Sequence, residues 1–346
     1  MAVQILWRRN TAANWTSNNP VLAQGEPGFE TDTLKYKIGD GTTTWSSLSY
    51  GALSTNTFAI LLEDQTSGSD PSVPATSKLD IYGKSIAGRM MLKQIGPSSI
   101  ATALQPFLAR NKVGYWNPPG NSTTLPEIFG YYSPATVGTI TAANVATTSL
   151  YTRMRRISYI SSATAGSLSS FRINQAQISL GDGFGDGGFY KIIRFGCSDP
   201  ATVSGARQFC GVNATLTIPP NVEPSTLINC IGLGHGAADT SLSIFYGGSV
   251  AQTPIALGSN FPANTLSTDA YELALFAPSN QYCVYYEVTR INTGNVATGV
   301  IVGDSAGALL PTASTLLTSC WNFRTNNTTA LSVGLDIMSD YLETDY

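Results

Sequence analysis

Residues 22–51 read LAQGEPGFETDTLKYKIGDGTTTWSSLSYG, and turn chemistry divides the stretch. Gly25-Glu26-Pro27-Gly28 and Gly39-Asp40-Gly41 are turn signals: glycine reaches positive φ without a steric cost, proline presets φ, and aspartate bonds its own backbone. They bracket two strand-like runs, Phe29-Glu30-Thr31 and Lys35-Tyr36-Lys37-Ile38, so a small β-hairpin module is predicted. Leu34, Tyr36 and Ile38 alternate with Lys35 and Lys37, which predicts one apolar and one charged face; Trp45 and Leu48 add apolar bulk after the second turn. Gly25, Pro27, Gly28, Gly39, Asp40 and Gly41 are the expected turn residues, and Tyr36, Ile38 and Trp45 the expected core.

Upstream, Thr11-Ala12-Ala13-Asn14-Trp15 lacks strand alternation and predicts one short helical turn with Asn10 as its N-cap. From Gln4 to Gly51 the chain carries Arg8-Arg9, Asn19-Pro20-Val21-Leu22, Gly25-Glu26-Pro27-Gly28 and Ile38-Gly39-Asp40-Gly41 around that turn. In these residues it resembles the N-terminal domain of the phage major tropism determinant and of many phage tail fibres. The resemblance implies a small β-structure in a homotrimeric, virion-borne, receptor-binding protein, with glycines and tryptophans serving architecture. It covers about 50 of 346 residues, so it speaks to the class of object and not to the ligand.

Composition points the same way. Charged residues make up 12% and hydrophobic residues 42%, with 33 glycines and 18 prolines, the usage of many short strands and turns; an all-β chain is expected. Residues 1–112 hold ten basic and eight acidic side chains, residues 113–346 nine and fourteen. No basic stripe exists for counterion release, so nucleic acid is excluded as a partner. No apolar run approaches the ~20 residues needed to cross a bilayer, and Met1–Asn10 has its arginines after its apolar residues. The expectation is a chain that is not membrane-inserted and has no secretion signal, assembled in a host cytoplasm into the phage tail of a virion. The five cysteines, Cys197, Cys210, Cys230, Cys283 and Cys320, form no C-x-x-C, which predicts buried thiols and neither a disulfide framework nor a zinc site.

Four segments are expected: residues 1–52 as the N-terminal domain, 57–112 as a second small β module, 113–136 as a connector rich in proline and aromatics, and 137–346 as a C-terminal antiparallel β-sandwich or jelly roll. In the second module Gln65–Pro74 reads as a loop. Lys78–Tyr82 and Arg89–Lys93 then read as strands around a turn over residues 83–88. The run from Leu79 to Gln105 also resembles a segment found after such N-terminal domains. Tyr115, Trp116, Phe129, Tyr131 and Tyr132 of the connector suit either sugar stacking or strand packing, the latter being the commoner fate. Beyond Val137, apolar runs recur between turn signals at 155–160, 189–195, 214–218, 227–233, 242–246, 271–276, 282–290, 300–302 and 331–338. They show no fixed 20–30-residue period, so a parallel β-helix has no support.

Motifs with chemical potential read as structure. Gly303-Asp304-Ser305-Ala306-Gly307 fits a nucleophile elbow, but the only histidine, His235, precedes Ser305, and Pro311 cuts short the helix an elbow needs. The order His235, Asp269, Ser305 suits a chymotrypsin-like triad by order alone. Gly232-Leu233-Gly234-His235-Gly236 predicts a loop. Gly181–Gly188, GDGFGDGG, offers two carboxylates, too few for calcium. No pair is selected for glycoside cleavage among Asp182, Asp199, Glu223, Asp239, Asp269, Glu272, Glu287 and Asp304. The sequons at Asn14, Asn121, Asn213, Asn326 and Asn327 would matter only in a secretory pathway. No catalytic, cofactor-binding or metal-binding residue is therefore expected, and the sequence selects no receptor-binding residue. The expected function is host attachment as a tail-fibre or tailspike subunit. The N-terminal modules would meet other tail proteins, and the C-terminal domain a host glycan or surface protein. A structural adaptor and a polysaccharide depolymerase are the alternatives.

Overall fold

The computed structural model describes residues 7–51, 62, 70–98, 101–103, 112–123 and 128–344. The chain divides into two compact units, Met1–Glu63 and Asp64–Tyr346. The loop Gln65–Pro74 and the end of the 57–112 module lie partly outside the described residues.

In the first unit β1 (Arg8–Asn10) lies parallel to β2 (Pro27–Glu30), which pairs antiparallel with β3 (Tyr36–Ile38). Gly25 and Gly41 take φ of +80°, Gly25 N–H donates to the Gly39 carbonyl at 2.8 Å, and Asp40 accepts from the Thr42 and Thr43 N–H groups at 2.9 and 2.7 Å. These bonds, that from the Thr43 hydroxyl foremost, hold the Asp40 carboxyl below the usual carboxylate range. Helix α1 (Ala12–Asn18) is capped by Thr11, whose hydroxyl accepts from Asn14 N–H. Asn10 belongs to β1 instead, its side chain accepting from the Thr11 N–H and the Asn14 amide. α1 sets Trp15 against Trp45, ring centroids 4.1 Å apart and planes 14° from parallel, and Leu22 completes the core. A Cβ on Gly28 would stand 2.6 Å from the Trp45 ring, so only glycine lets the hairpin cross it.

That packing corrects the predicted face of the hairpin. Lys37 points inward and is 4% exposed, its Nζ donating to the Trp45 carbonyl at 2.7 Å, while Ile38 is 53% and Leu34 74% exposed. The stacked indoles fill the core, and the apolar stem of a lysine lies along them with its head on a carbonyl. Leu34, at φ +58°, lies outside the strand altogether.

In the second unit β4 (Asp80–Ile86) and β5 (Arg89–Ile95) form a hairpin, and β6 (Ala101–Ala103) adds a third strand. The turn is only Ala87-Gly88, both at positive φ as a type I′ turn requires, so the strands run further than the sequence suggested. Two antiparallel sheets then form a sandwich. The nine-stranded sheet runs β10 (Thr139–Ala143), β11 (Arg156–Ile160), β23 (Gly334–Thr344), β14 (Phe189–Cys197), β19 (Tyr271–Ala277), β20 (Cys283–Arg290), β21 (Asn295–Val302). Strand β7 (Lys112–Trp116) also pairs with β23, and β8 (Ile128–Phe129) with β7. The eight-stranded sheet runs β18 (Ile255–Ala256), β17 (Ser243–Gly247), β16 (Cys230–His235), β15 (Arg207–Asn213), β22 (Leu317–Thr325), β12 (Leu168–Arg172), β9 (Ala135–Val137), with β13 (Ala176–Ile178) also on β22.

The all-β architecture and the antiparallel sandwich are thus present, with differences in detail. Residues 113–136, read as a connector, contribute β7, β8 and the start of β9 to the sheets. The run 214–218 is not a strand, whereas β12, β15 and β22 are strands that apolar runs did not mark. Between the sheets lie Phe171, Phe189, Phe195, Leu233, Leu273 and Leu335. The β4–β5 hairpin covers the outer face of the first sheet: Ala87 and Met91 pack on Tyr190 and Ala274, and Arg89 pairs with Glu343 at 2.6 Å.

A polar network crosses the sandwich. Arg324 of β22 meets Asp199, just beyond β14, through Nε–Oδ1 and Nη2–Oδ2 contacts of 2.7 and 2.5 Å, both groups fully buried. The guanidinium also donates to Gln208 at 3.1 Å and Asn264 at 2.8 Å, and Asp199 accepts from Gly334 N–H at 2.8 Å. His235 Nε2 stands 3.0 Å from Arg324 Nη1, and its Nδ1 3.1 Å from the Gly236 carbonyl. A guanidinium only donates, so Nε2 accepts and the ring proton sits on Nδ1.

Removing one partner of a buried ion pair leaves the other uncompensated. Arg324→Met is therefore expected to lower unfolding stability by about 3–5 kcal/mol, read from the urea midpoint; a loss under ~1 kcal/mol would contradict the network's role. Burial, with the Arg324 charge second, pushes the imidazole of His235 down to about 3, against ~6.5 unfolded. Below pH ~6.5 the unfolded chain binds a proton that the folded one refuses, so stability is lost as pH falls. His235 is the only histidine, and stability should drop by about 2 kcal/mol more between pH ~7 and ~5 than in His235→Gln. Equal pH slopes for the two proteins would refute this.

Candidate ligand groove

Strand β7 ends in Trp116, buried between the sheets, and the chain then turns through Asn117-Pro118-Pro119-Gly120-Asn121. Gly120 sits at φ +88°, and a Cβ there would touch Val145 and the stem of Arg155, each at 3.4 Å. On the other side Ser149 and Thr152 form a capping box that starts helix α2 (Leu150–Arg153). Arg156 closes its far end, Nη1 donating to the carbonyls of Tyr151, Thr152 and Met154 while Nε pairs with Asp336 at 3.2 Å. Between them Arg155 points to solvent.

Two depressions adjoin at Arg155. The larger, about 520 Å³, is lined by Pro119, Asn121, Asn144, Val145 and Arg155. The smaller, about 240 Å³, is lined by Tyr115, Asn117, Met154, Arg155, Arg194, Met338 and Ser339. No carboxylate or imidazole lines either one, among the described residues. The amides of Asn117, Asn121 and Asn144 make no hydrogen bond to the described protein, and Tyr115 is 39% exposed. Of the nine cations in residues 113–346, Arg155 is the one without a hydrogen bond or ion pair, among the described residues. Arg194 is tied through Nε to Glu272 at 2.5 Å. Free amides and a free guanidinium beside an exposed ring and methionine can hold hydroxyl or acidic groups of a ligand whose apolar face lies on the ring.

The motifs that suggested chemistry lie elsewhere. Ser305 is exposed in a turn held by Asp304, which accepts from Ala308 and Leu309 N–H at 2.8 and 3.2 Å. Both nitrogens of His235 face Arg324 and Gly236, and Asp269 pairs with Arg290 at 2.9 Å, so no triad is assembled. Gly232-Leu233-Gly234-His235 is strand β16 and not the predicted loop. The Phe209 ring lies against Gly232, where a Cβ would come within 2.6 Å of it, and at Gly234 one would come within 1.9 Å of the Gln208 carbonyl. Asp182 accepts from the N–H groups of Phe184, Gly185 and Asp186, bonds that hold its carboxyl below the usual range. Glu223 and Glu272 are paired with Arg207 and Arg194, and Asp239 and Glu287 accept from the Gly236 and Ala87 N–H groups. All five cysteines are buried as free thiols, and no helix among the described residues is long and apolar enough to cross a membrane.

Sequence reasoning did not select the groove. Its only signal was Asn117–Asn121, a proline-glycine turn flanked by amides, beside an arginine triplet of which two members serve the fold.

Known proteins bear on the two units differently. The sandwich is similar to lectin II from Ulex europaeus, 11% identical with a TM-score of 0.43, over 68% of this chain and 100% of that one. It is also similar to a protein of unknown function from Shewanella oneidensis MR-1, 12% identical with a TM-score of 0.42, over 69% and 89%. A hyaluronoglucosaminidase of Streptococcus pyogenes phage H4489A is 42% identical over 48 residues, 14% of this chain, which spans only 13% of that protein. Residues 5–43 match the major tropism determinant N-terminal domain, the family that the turn and tryptophan pattern of this stretch resembled.

Proposed function

We propose that the chain is a phage tail-fibre or tailspike subunit that attaches the particle to a host surface through its β-sandwich. The N-terminal domain match at residues 5–43 carries this reading. The groove at Arg155 is the proposed receptor contact: open, polar, with an exposed ring, and without a carboxylate pair or base among the described residues, it suits binding and not cleavage. The phage hyaluronoglucosaminidase shares too small a part for its activity to be carried over. Purified full-length protein should block adsorption of the phage to its host, and a fragment ending at Glu63 should not. Equal blocking by the fragment would place the receptor contact upstream and favour the adaptor reading.

The N-terminal unit is further proposed to assemble as a homotrimer. Trp7, Phe29 and Tyr36 stack in a row, centroids 4.8 and 5.5 Å apart, on the sheet face that also leaves Ile38 exposed. A unit this small gains from burying that face against copies of itself, and cyclic closure leaves no open edge. The number three rests on the family resemblance. Ile38→Asp should shift the sedimentation profile toward smaller species; a wild-type monomer at micromolar concentration would refute assembly.

A further inference from the structure

Resting on the receptor-binding reading, we infer that the groove takes an anionic glycan, one carrying carboxylate or phosphate groups, and that Arg155 reads the charge. Residues 113–346 are acidic overall, nine cations against fourteen acids, so a polyanion meets general repulsion from this part of the chain. Against that background the depressions hold, among the described residues, two guanidiniums and no acid, and the nearby Glu272 is already bound to Arg194. Eight of the nine cations hold a carboxylate or a backbone carbonyl. Among the described residues only Arg155 of these nine keeps its whole fork of donors for a ligand, and that fork matches carboxylate and phosphate in two parallel hydrogen bonds. A neutral sugar would use the three amides and leave the guanidinium in water. An acidic one engages both, with Tyr115 and Met154 beneath its C–H face.

The test uses the full chain and three immobilised probes: polygalacturonate for carboxylate, poly(glycerol phosphate) teichoic acid for phosphate, and neutral dextran. Retention is expected on one or both polyanions and not on dextran, and it should weaken as sodium chloride is raised. Arg155→Gln should weaken retention about tenfold or more, with Arg155→Lys between the two. Both variants should unfold like the parent, since Arg155 bonds nothing among the described residues. Dextran bound as well as the polyanions, an unchanged affinity in Arg155→Gln, or no retention on any probe would each overturn the inference. Host-cell binding measured in parallel separates the two readings: cells bound without polyanion binding sinks the anionic ligand alone, and cells not bound sinks the receptor reading too.

Discussion

The sandwich depends on one ion pair, Arg324 with Asp199, because each charge comes from a different sheet and neither can reach water. Asp199 follows β14 in the first sheet, Arg324 sits in β22 at the centre of the second, and Gly334 N–H ties the start of β23 to the same carboxylate. Side chains alternate along a strand, so a one-residue slip of β22 would turn Arg324 outward and bring Phe323 in, leaving Asp199 buried alone. An apolar core tolerates exchange of one hydrophobe for another. A buried charge with five hydrogen bonds to four fixed partners does not.

A second constraint works through β23. Its pairing with β14 breaks between Arg194 and Phe195, which oppose Ser339 and Ile337 and leave Met338 unpaired. Past this bulge the alternation is reset: Asp340 and Leu342 face inward as Leu335 and Ile337 do, and Asp340 meets the fully buried Lys191 at 2.6 Å. Tyr131 donates to the same carboxylate, fixing the segment that follows β8. The bulged Met338 reaches the floor of the smaller depression, so the irregularity that buries an ion pair also shapes the groove.

These interactions explain what the sequence disclosed. Strands carrying only apolar inward residues, such as β19 and β20, stood out as runs. Strand β22, with Asn322 and Arg324 inward and Trp321 and Phe323 outward, did not, because both faces are buried and one of them is polar. The hairpin face failed at Lys37 for the same reason: binary pattern sorts residues by polarity and cannot see a carbonyl waiting inside. Turn residues were legible because glycine and aspartate act through the local backbone. The groove was not, since what distinguishes Arg155 from Arg153 and Arg156 is the partners it lacks, a property of the folded neighbourhood.

The groove's walls are stiff for segments outside strands. Pro118 and Pro119 fix their own φ, Gly120 supplies the positive φ that lets the chain lie against Arg155, and the Ser149–Thr152 capping box holds the opposite wall together with the Ala146 N–H to Thr152 carbonyl bond. Little backbone freedom remains to be lost when a ligand enters, so shallow contacts suffice for weak binding. In the proposed homotrimer weak binding would be enough: once one copy is engaged, its neighbours would search a small volume, and affinity would rise without any new contact. If the groove is the proposed receptor contact, replacement of its few exposed side chains would change the ligand without disturbing the ion pairs that hold the sheets, because none of those side chains takes part in the network between them.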